Sequence, residues 1–336
     1  MSYQRIGTPK IYTDNINWLL TLGKINSSNI SVAGLSLASG SDKMGLFDMK
    51  PSNLQTITAN TSTGTGYITI NTGISTDSIV DNTFVAILGH NFKQAGVKFQ
   101  IEQSDNNFTN TFDVGNQTEV INATYGSGYH TPARNGWSLV TFTDRSGDND
   151  NQYWRIRLEP SGSSFTSDIK IGAILLGESI LLPQSPDLAI KKKVTFDGVS
   201  RQTSVGGQTY ANAQYLSGAD WFIDPLNLHT SLTSPDTVRK TGRTSLDMSF
   251  SYLADTDVYI ENSYNKTNLI TGNNISTNLL SKTHGGMIPN LLQYDSSIAS
   301  ATDTDSFLWC RLNNEPSFTQ VANRVWNTSL SFIEEF

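Results

Sequence analysis

Three segments alternate apolar and polar residues without a break, and this period of two constrains the fold more than any other feature. Segments 97–102 (VKFQIE), 154–159 (WRIRLE) and 246–252 (LDMSFSY) place a large apolar side chain at every second position. Side chains of a β-strand point alternately to the two faces of a sheet. A helix with these sequences would spread its apolar residues around its circumference. The pattern therefore predicts half-buried antiparallel strands.

Other segments extend this prediction to the whole chain. Runs 84–88 and 169–176 are more continuously apolar, which is typical of strands buried on both faces. Further short runs end at turn sequences and are predicted strands: 67–71, 137–143, 194–196, 258–261, 307–312 and 326–333. The best helical candidates, 278–281 and 288–294, span one or two turns each. So many short strands predict an all-β chain built of antiparallel sandwiches.

The composition supports a folded β protein and limits its partners. Aromatic residues make up 10% of the chain, enough for a packed core, while charged residues make up only 16%. The formal net charge of −7 argues against a nucleic-acid partner, which requires a basic face. No apolar run approaches the ~20 residues that cross a bilayer, and the first residues lack an export pattern. We therefore expect neither nucleic acid nor membrane as a partner.

A proline-containing segment predicts the domain boundary. Residues 181–187 (LLPQSPD) follow a predicted strand and hold two prolines. The predicted division is then an N-terminal arm, a β-sandwich of galactose-binding-like or jelly-roll type, a linker and a second β-rich domain: 1–29, 30–182, 183–186 and 187–336. The arm is expected to contact the second domain or a neighbouring subunit. Strand 326–333 is predicted to lie beside 246–252 in the second domain, and the basic run 191–193 to form a solvated strand edge.

No motif in the chain predicts an enzyme. The histidines have no metal-ligand spacing: His90, His130, His229 and His284. Cys310 is the single cysteine and lies in an apolar strand pattern, so it is predicted to be buried. Segment 34–38 lacks the last glycine of a nucleophile elbow, and 64–69 lacks the third glycine of a dinucleotide-binding turn. We expect no catalytic residue, cofactor or metal, although the acidic segment 144–151 leaves an irregular calcium loop open.

One segment stands out as a candidate contact site. Residues 125–137 (YGSGYHTPARNGW) are long for a connection between strands and are expected to form a loop. Aromatic rings stack on sugar faces, and amide or guanidinium groups bind hydroxyls. The candidate residues for a glycan or partner contact are Tyr125, Tyr129, His130, Arg134 and Trp137. The alternative is a loop tip packed against a neighbouring chain or against its own sandwich.

Five segments between residues 80 and 260 carry a resemblance to a known family. They are 84–92 with the strand that begins at Gly96, then 153–158, 171–178, 193–199 and 242–253. These segments resemble virion structural proteins of tailed bacteriophages, especially marine phages. The resemblance implies sandwich domains similar to galactose-binding-like and distal-tail-protein modules, placed in the tail, baseplate or head–tail region. It implies no catalytic residues.

Three hypotheses about function follow. The resemblance implies a non-enzymatic structural component of a phage virion, made in the host cytoplasm and held in a homo-oligomeric ring in the tail or baseplate. Its partners would be other virion proteins and copies of itself. The second hypothesis is a lectin-like adsorption module that binds host glycans through 125–137. The third is a hydrolase of cell-wall sugar or peptide, which needs two carboxylates that only the fold could bring together.

Overall fold

The fold is almost entirely antiparallel β-structure, as predicted. The computed structural model describes residues 6–73, 82–109, 112–114, 117–142, 152–196, 199–213, 242–259, 275–297 and 306–335. The strands up to residue 181 are β1 (Lys10–Asp14), β2 (Ile30–Ala33), β3 (Ser36–Leu37), β4 (Gln55–Thr58), β5 (Gly66–Asn71), β6 (Phe84–His90), β7 (Val97–Ser104), β8 (Phe112–Asp113), β9 (Gln117–Ile121), β10 (Ala123–Gly126), β11 (Tyr129–Pro132), β12 (Gly136–Phe142), β13 (Tyr153–Pro160), β14 (Ile169–Ile171) and β15 (Ala173–Leu181).

The remaining strands and the helices complete the elements of the described residues. The strands are β16 (Lys191–Thr195), β17 (Val199–Thr203), β18 (Thr209–Ala213), β19 (Arg243–Ala254), β20 (Asn290–Gln293), β21 (Phe307–Leu312), β22 (Thr319–Ala322) and β23 (Val325–Glu334). The helices are all short: α1 (Asn15–Thr21), α2 (Phe92–Ala95), α3 (Asp255–Val258), the 3₁₀ turns Ser27–Asn29 and Lys43–Phe47, and the π-helix Ile275–Ser281. The last of these contains the predicted helix 278–281.

Two antiparallel sheets pack face to face and form the predicted β-sandwich. One sheet has the order β10–β11–β7–β13–β5–β2, and the other contains β1–β15–β6–β12–β9. The two clearest sequence patterns pair with each other, since Ile156 of β13 lies opposite Ile101 of β7. The ring of Trp154 crosses the gap and stacks on Phe142 of the other sheet, with 5.9 Å between centroids. The apolar face that the alternation predicted is therefore the interior of the sandwich.

The second sheet continues beyond the sandwich because β1 has a partner on each side. Ile11 lies opposite Ile180 of β15 on one side and Leu292 of β20 on the other. The order then runs β20–β21–β23–β19–β16, so one 11-stranded sheet crosses the predicted linker 183–186. The predicted arm 1–29 supplies this central strand, whose five residues are too few for a recognisable period. The division into two domains stays a prediction.

A glycine allows β1 to approach β15 closely. A Cβ atom added at Gly177 would lie 1.9 Å from the carbonyl oxygen of Thr13. Only a residue without a side chain fits at that contact. The close approach continues at the end of β1, where the buried Asp14 side chain caps α1 by accepting a hydrogen bond from the Asn17 amide at 2.6 Å.

A second buried cluster lies in the part of the chain after residue 187. Leu246 of β19 lies opposite Phe332 of β23, and Met248 lies opposite Leu330. All four side chains are buried. The pairing predicted between 246–252 and 326–333 is therefore confirmed. Cys310 is fully buried in β21, also as predicted.

Two short segments differ from their predicted structures. Segment 288–294 is not helical but contains β20, whose four residues are buried between β1 and β21. A short apolar run has no period that separates a strand from a helix, so its distant partners decide. Val258 ends helix α3 rather than beginning a strand, because Asp257 Oδ2 accepts a hydrogen bond from the Ala254 amide at 2.7 Å. Residues 260 and 261 lie outside the described residues.

Candidate functional site

The candidate segment 125–137 is a β-hairpin followed by a corner, not a long loop. Strands β10 and β11 pair up to Gly126 opposite Tyr129, and Ser127 and Gly128 form the turn between them. Both turn residues have positive φ angles, 52° and 84°. A two-residue hairpin turn requires this conformation because it matches the twist of the strands. The Ser-Gly pair was the sequence signal that would have identified this turn.

The corner after the hairpin is held by one asparagine. The Asn122 side-chain amide donates hydrogen bonds to the carbonyl oxygens of Trp137 at 2.6 Å and Arg134 at 3.1 Å. Its oxygen accepts a hydrogen bond from the Arg134 amide at 3.0 Å. Asn122 therefore fixes the backbone of Arg134. The side chain of Arg134 is half-buried.

The pairing distributes the predicted site residues over three places. Tyr125 lies opposite His130, so these two side chains share one face of the hairpin, while Tyr129 lies on the other face. Trp137 is only 2% exposed and packs edge-on against Phe307, with 5.0 Å between the ring centroids. A ring buried in this way has no surface for a sugar or a partner. The structure therefore places Trp137 in the interior, apart from the exposed candidate residues.

His130 supports Tyr125 rather than offering a contact of its own. Its ring lies between Phe99 at 5.0 Å and Tyr125 at 5.1 Å. Its Nε2 is 3.0 Å from Gln117 Oε1, to which the neutral imidazole donates. Burial lowers the pKa of His130 to about 4, so the ring is neutral near pH 7. His130 is also buried, and it lies beneath the ring of Tyr125.

Tyr125 is the one predicted site residue with a large exposed aromatic surface. Its side chain is 49% exposed on β10, the outermost strand of its sheet. The buried His130 ring lies against one part of it, and the exposed Thr124 is its neighbour along the strand. A half-exposed ring held in position by a buried ring is suited to stacking on a ligand.

Tyr129 belongs to a layer of paired charges on the outer face of the sheet, here called the charged face. It consists of Tyr67, Lys98, Glu102, Tyr129, Arg155, Arg157 and Glu159. Lys98 Nζ lies 4.2 Å from the Tyr129 ring centroid and 3.3 Å from Glu159 Oε2. Burial and a hydrogen bond to Glu159 raise the pKa of Tyr129. The face of this ring is therefore already covered by a cation of the same chain.

The carboxylate at the centre of the charged face is bound from two sides. Glu102 is buried although it lies on the outer face, with Arg155 Nη2 2.5 Å from its Oε2 and Arg157 Nη1 3.5 Å from its Oε1. A buried carboxylate requires such partners, since an unpaired charge would be costly to desolvate. The two arginines and the glutamate of 154–159 thus lie outside, as their alternation predicted, and they hold neighbouring strands together.

A second exposed feature lies in residues 188–196 and 199–211, and the range 188–213 is here called the exposed segment. All five residues of β16 are exposed at the end of the 11-stranded sheet, which confirms the predicted solvated edge at 191–193. Strands β17 and β18 pair only with each other in the described residues. Five large apolar side chains of the exposed segment are half to fully exposed: Leu188, Val194, Phe196, Val205 and Tyr210. The sequence predicted the lysine edge and the strand at 194–196, but not the exposure of these apolar side chains.

Three buried charged side chains take part in structural contacts. Glu178 Oε2 lies 2.5 Å from Nζ of the buried Lys282, and Asp14 caps α1. Among the described residues, no three His, Cys, Asp or Glu side chains form a group that could hold a metal ion. The candidate calcium segment 144–151 lies outside them. No helix in the same residues has the length and apolar character needed to cross a bilayer.

Similarity to known proteins is limited to the fold. No known protein family and no curated protein matches the chain. A chitosan-binding module of a chitosanase/glucanase from Paenibacillus sp. IK-5 is 18% identical, with a TM-score of 0.31, covering 45% of this chain and 96% of that module. Module CBM32-1 of a family 31 glycoside hydrolase from Clostridium perfringens is 10% identical, with the same TM-score and the same coverage.

A larger enzyme matches in the same way. A family 89 glycoside hydrolase from Clostridium perfringens is 17% identical, with a TM-score of 0.28, covering 50% of this chain and 16% of that enzyme. At such identities the similarity concerns the fold alone. The pairing of its own strands shows the chain to be an all-β protein with an antiparallel sandwich.

Proposed function

We propose that the chain is a non-enzymatic structural component of a tailed-phage virion that assembles as a homo-oligomeric ring in the tail or baseplate. The observation that carries the proposal is the exposed segment, where five large apolar side chains lie in solvent within 26 residues. Exposed apolar side chains of this size mark a site of contact with another chain where they form a patch. The resemblance of residues 80–260 to virion structural proteins supports the location.

The β17–β18 hairpin is the strongest part of this argument. Its turn is closed by internal bonds, from the Ser204 amide to the Gln208 carbonyl at 2.8 Å and from the Gly207 amide to the Ser204 carbonyl at 2.9 Å. A two-stranded hairpin without further support is marginally stable in water. The apolar Val205 lies at the tip of this hairpin and is fully exposed. Contact with a neighbouring subunit would bury the tip and stabilise the hairpin.

The first prediction concerns assembly itself. The purified chain should form a ring of more than two copies at micromolar concentration, because a small exposed surface gains stability from repetition around a symmetry axis. Light scattering after size-exclusion chromatography measures the mass, and negative-stain electron microscopy shows the shape. Immunogold labelling of purified virions tests the location. A chain that stays monomeric at high concentration and is absent from the particles would refute the proposal.

Glycan binding is a second candidate function, and Tyr125 is the observation that favours it. A sugar ring could stack on the exposed part of this side chain, and the hydroxyl group of Tyr125 could bind a hydroxyl group of the sugar. Small-molecule sites combine an apolar surface with a few placed polar groups in this way. The chain would then act as a lectin-like module that contacts host glycans.

The second prediction tests this site with one ring removed. On a glycan array, Tyr125→Ala should lower binding at least about tenfold, because the stacking surface is lost, whereas Tyr125→Phe should retain most of it. Tyr252→Ala is the matched control, since this exposed tyrosine lies on β19, far along the chain from the hairpin. Equal binding by the Tyr125→Ala variant and the wild type, with both folded, would exclude Tyr125 as a glycan contact.

A further inference from the structure

The exposed segment carries a charge opposite to that of the rest of the chain. It contains four basic residues, Lys191, Lys192, Lys193 and Arg201, and one acidic residue, Asp197, which gives it a net charge of +3. The whole chain has a net charge of −7, so the remaining residues carry −10. Opposite charges on two surfaces of one molecule favour contacts between unlike surfaces of two copies.

We infer that the exposed segment of one copy docks on the acidic body of the next copy, head to tail. The inference rests on the proposed assembly and specifies its contact. A two-fold symmetric contact would place the same patch on both sides and bring two positive segments together. Like charges at such an interface cost free energy. A head-to-tail contact places the positive segment against negative surface, and it closes into a ring when the rotation between copies allows.

The edge of the large sheet disfavours the main alternative. Strand β16 is the last strand of the sheet, and its outer edge could in principle pair with β16 of a second copy. Three consecutive lysines occupy this strand, Lys191, Lys192 and Lys193, and all are exposed. Lysines on an edge strand prevent edge-to-edge pairing because the two edges repel each other. Symmetric extension of the sheet is therefore disfavoured.

The β17–β18 hairpin provides both kinds of group that a docking element needs. Val205 at the tip and Tyr210 on β18 are apolar anchors, and both are exposed. Arg201 on β17 supplies a positive charge on the same hairpin. Tyrosine and arginine are the residues that most often dominate the binding energy of interfaces. We assign the contact to these three side chains, with the lysines of β16 adding long-range attraction.

The third prediction uses a copy that lacks the hairpin. In a variant with residues 199–213 replaced by a short Gly-Ser linker, the acidic body remains but the docking element is absent. The immobilised variant should capture the wild type, whose hairpin can dock on the variant's body, but it should not capture itself. If the contact were instead a symmetric one between two hairpins, the immobilised variant would capture neither the wild type nor itself. Full-length Val205→Ser/Tyr210→Ser, which keeps the backbone intact, should behave in the same way.

Charge variants test the electrostatic part of the inference. Arg201→Glu should weaken self-association at least about tenfold, and raising NaCl from about 50 to about 500 mM should weaken that of the wild type. Arg324→Glu is the matched control, because this exposed arginine carries the same charge change outside the exposed segment. It should leave association unchanged or slightly stronger, since the body becomes more acidic.

The outcomes separate this inference from the proposed function. A monomeric wild type would refute both. A wild-type ring whose hairpin-less variant captures itself would leave the assembly standing and overturn the docking role of the hairpin. A variant that captures neither itself nor the wild type would overturn the head-to-tail geometry. Equal effects of Arg201→Glu and Arg324→Glu would overturn the electrostatic part.

Discussion

Removal of residues 326–336 should leave the chain unfolded or insoluble. Strand β23 pairs with β19, where Met248 lies opposite Leu330, and with β21, where Leu312 lies opposite Phe332. Burial of Leu330 and Phe332 contributes about 2–3 kcal/mol each, and two rows of hydrogen bonds are lost with them. A loss of this size approaches the whole stability of a domain, about 5–15 kcal/mol. The soluble fraction and the circular dichroism spectrum after expression measure the effect.

Single substitutions on β23 give a graded version of the same test. Phe332→Ala should lower the free energy of unfolding by about 3–5 kcal/mol in urea denaturation, because a large buried ring is removed. Ser329→Ala on the exposed face of the same strand is the control and should change it by less than about 0.5 kcal/mol. A truncated chain that melts like the full-length protein would show that this strand is not required for the fold.

The parts of the fold that the sequence predicts are those with a local period. Strands β7, β13, β19 and β23 each alternate over six or more residues, so one face is buried whatever the partner is. The same rule was available for His130, which alternates with Tyr129 and Thr131 and faces inward with Pro132. Its burial could therefore have been predicted from the hairpin turn.

The parts that the sequence does not predict depend on contacts between distant residues. The hydroxyl of Tyr12 donates a hydrogen bond to Glu119 Oε2 at 2.9 Å and lies 3.2 Å from Gln293 Oε1, which joins three distant parts of the chain. No local pattern carries such information. Trp137 is similar, because β12 is buried throughout and its sequence has no alternation. The local sequence therefore does not distinguish an exposed aromatic residue beside a turn from a buried one.

The exposed segment was missed for a different reason. Its strands show little alternation of apolar and polar residues, and its apolar residues are few, so its sequence does not resemble that of core strands. Only the reversal of charge sign against the rest of the chain marks it in the sequence. The structure adds that Val205 and Tyr210 are exposed, and the proposed contact surface is based on this exposure together with the charge reversal.

Acidification from about pH 6.5 to pH 4 should destabilise the fold, because two buried histidines must remain neutral in it. Burial lowers the pKa of His90 to about 3 and that of His130 to about 4. The unfolded chain takes up protons at both residues below pH 6.5, but the folded chain does not. Stability that is complete above pH 6.5 is therefore lost as the pH falls, by about 3 kcal/mol for each histidine at pH 4.

The contacts of His90 explain why it stays neutral. The Phe92 amide donates to its Nδ1 at 3.3 Å, so its Nε2 carries the proton and donates to Ser138 Oγ at 2.9 Å. A second proton on Nδ1 would break the first of these bonds inside the core. Asp14 acts in the opposite direction, since burial raises its pKa to about 6 and the folded chain takes up a proton there as the pH falls. This offsets about 2 kcal/mol of the loss between pH 6 and pH 4.

Urea denaturation at pH 7, 5.5 and 4.5 therefore measures a net loss of stability, and two variants separate its causes. His130→Gln retains a donor toward Gln117 and should reduce the net loss to about a quarter of the wild-type loss, because only one histidine then opposes the contribution of Asp14. Asp14→Asn should make it steeper, because the opposing group is removed, although the variant itself is less stable at pH 7. A wild-type stability that stays level or rises between pH 6.5 and pH 4 would contradict the neutral, buried state of both histidines.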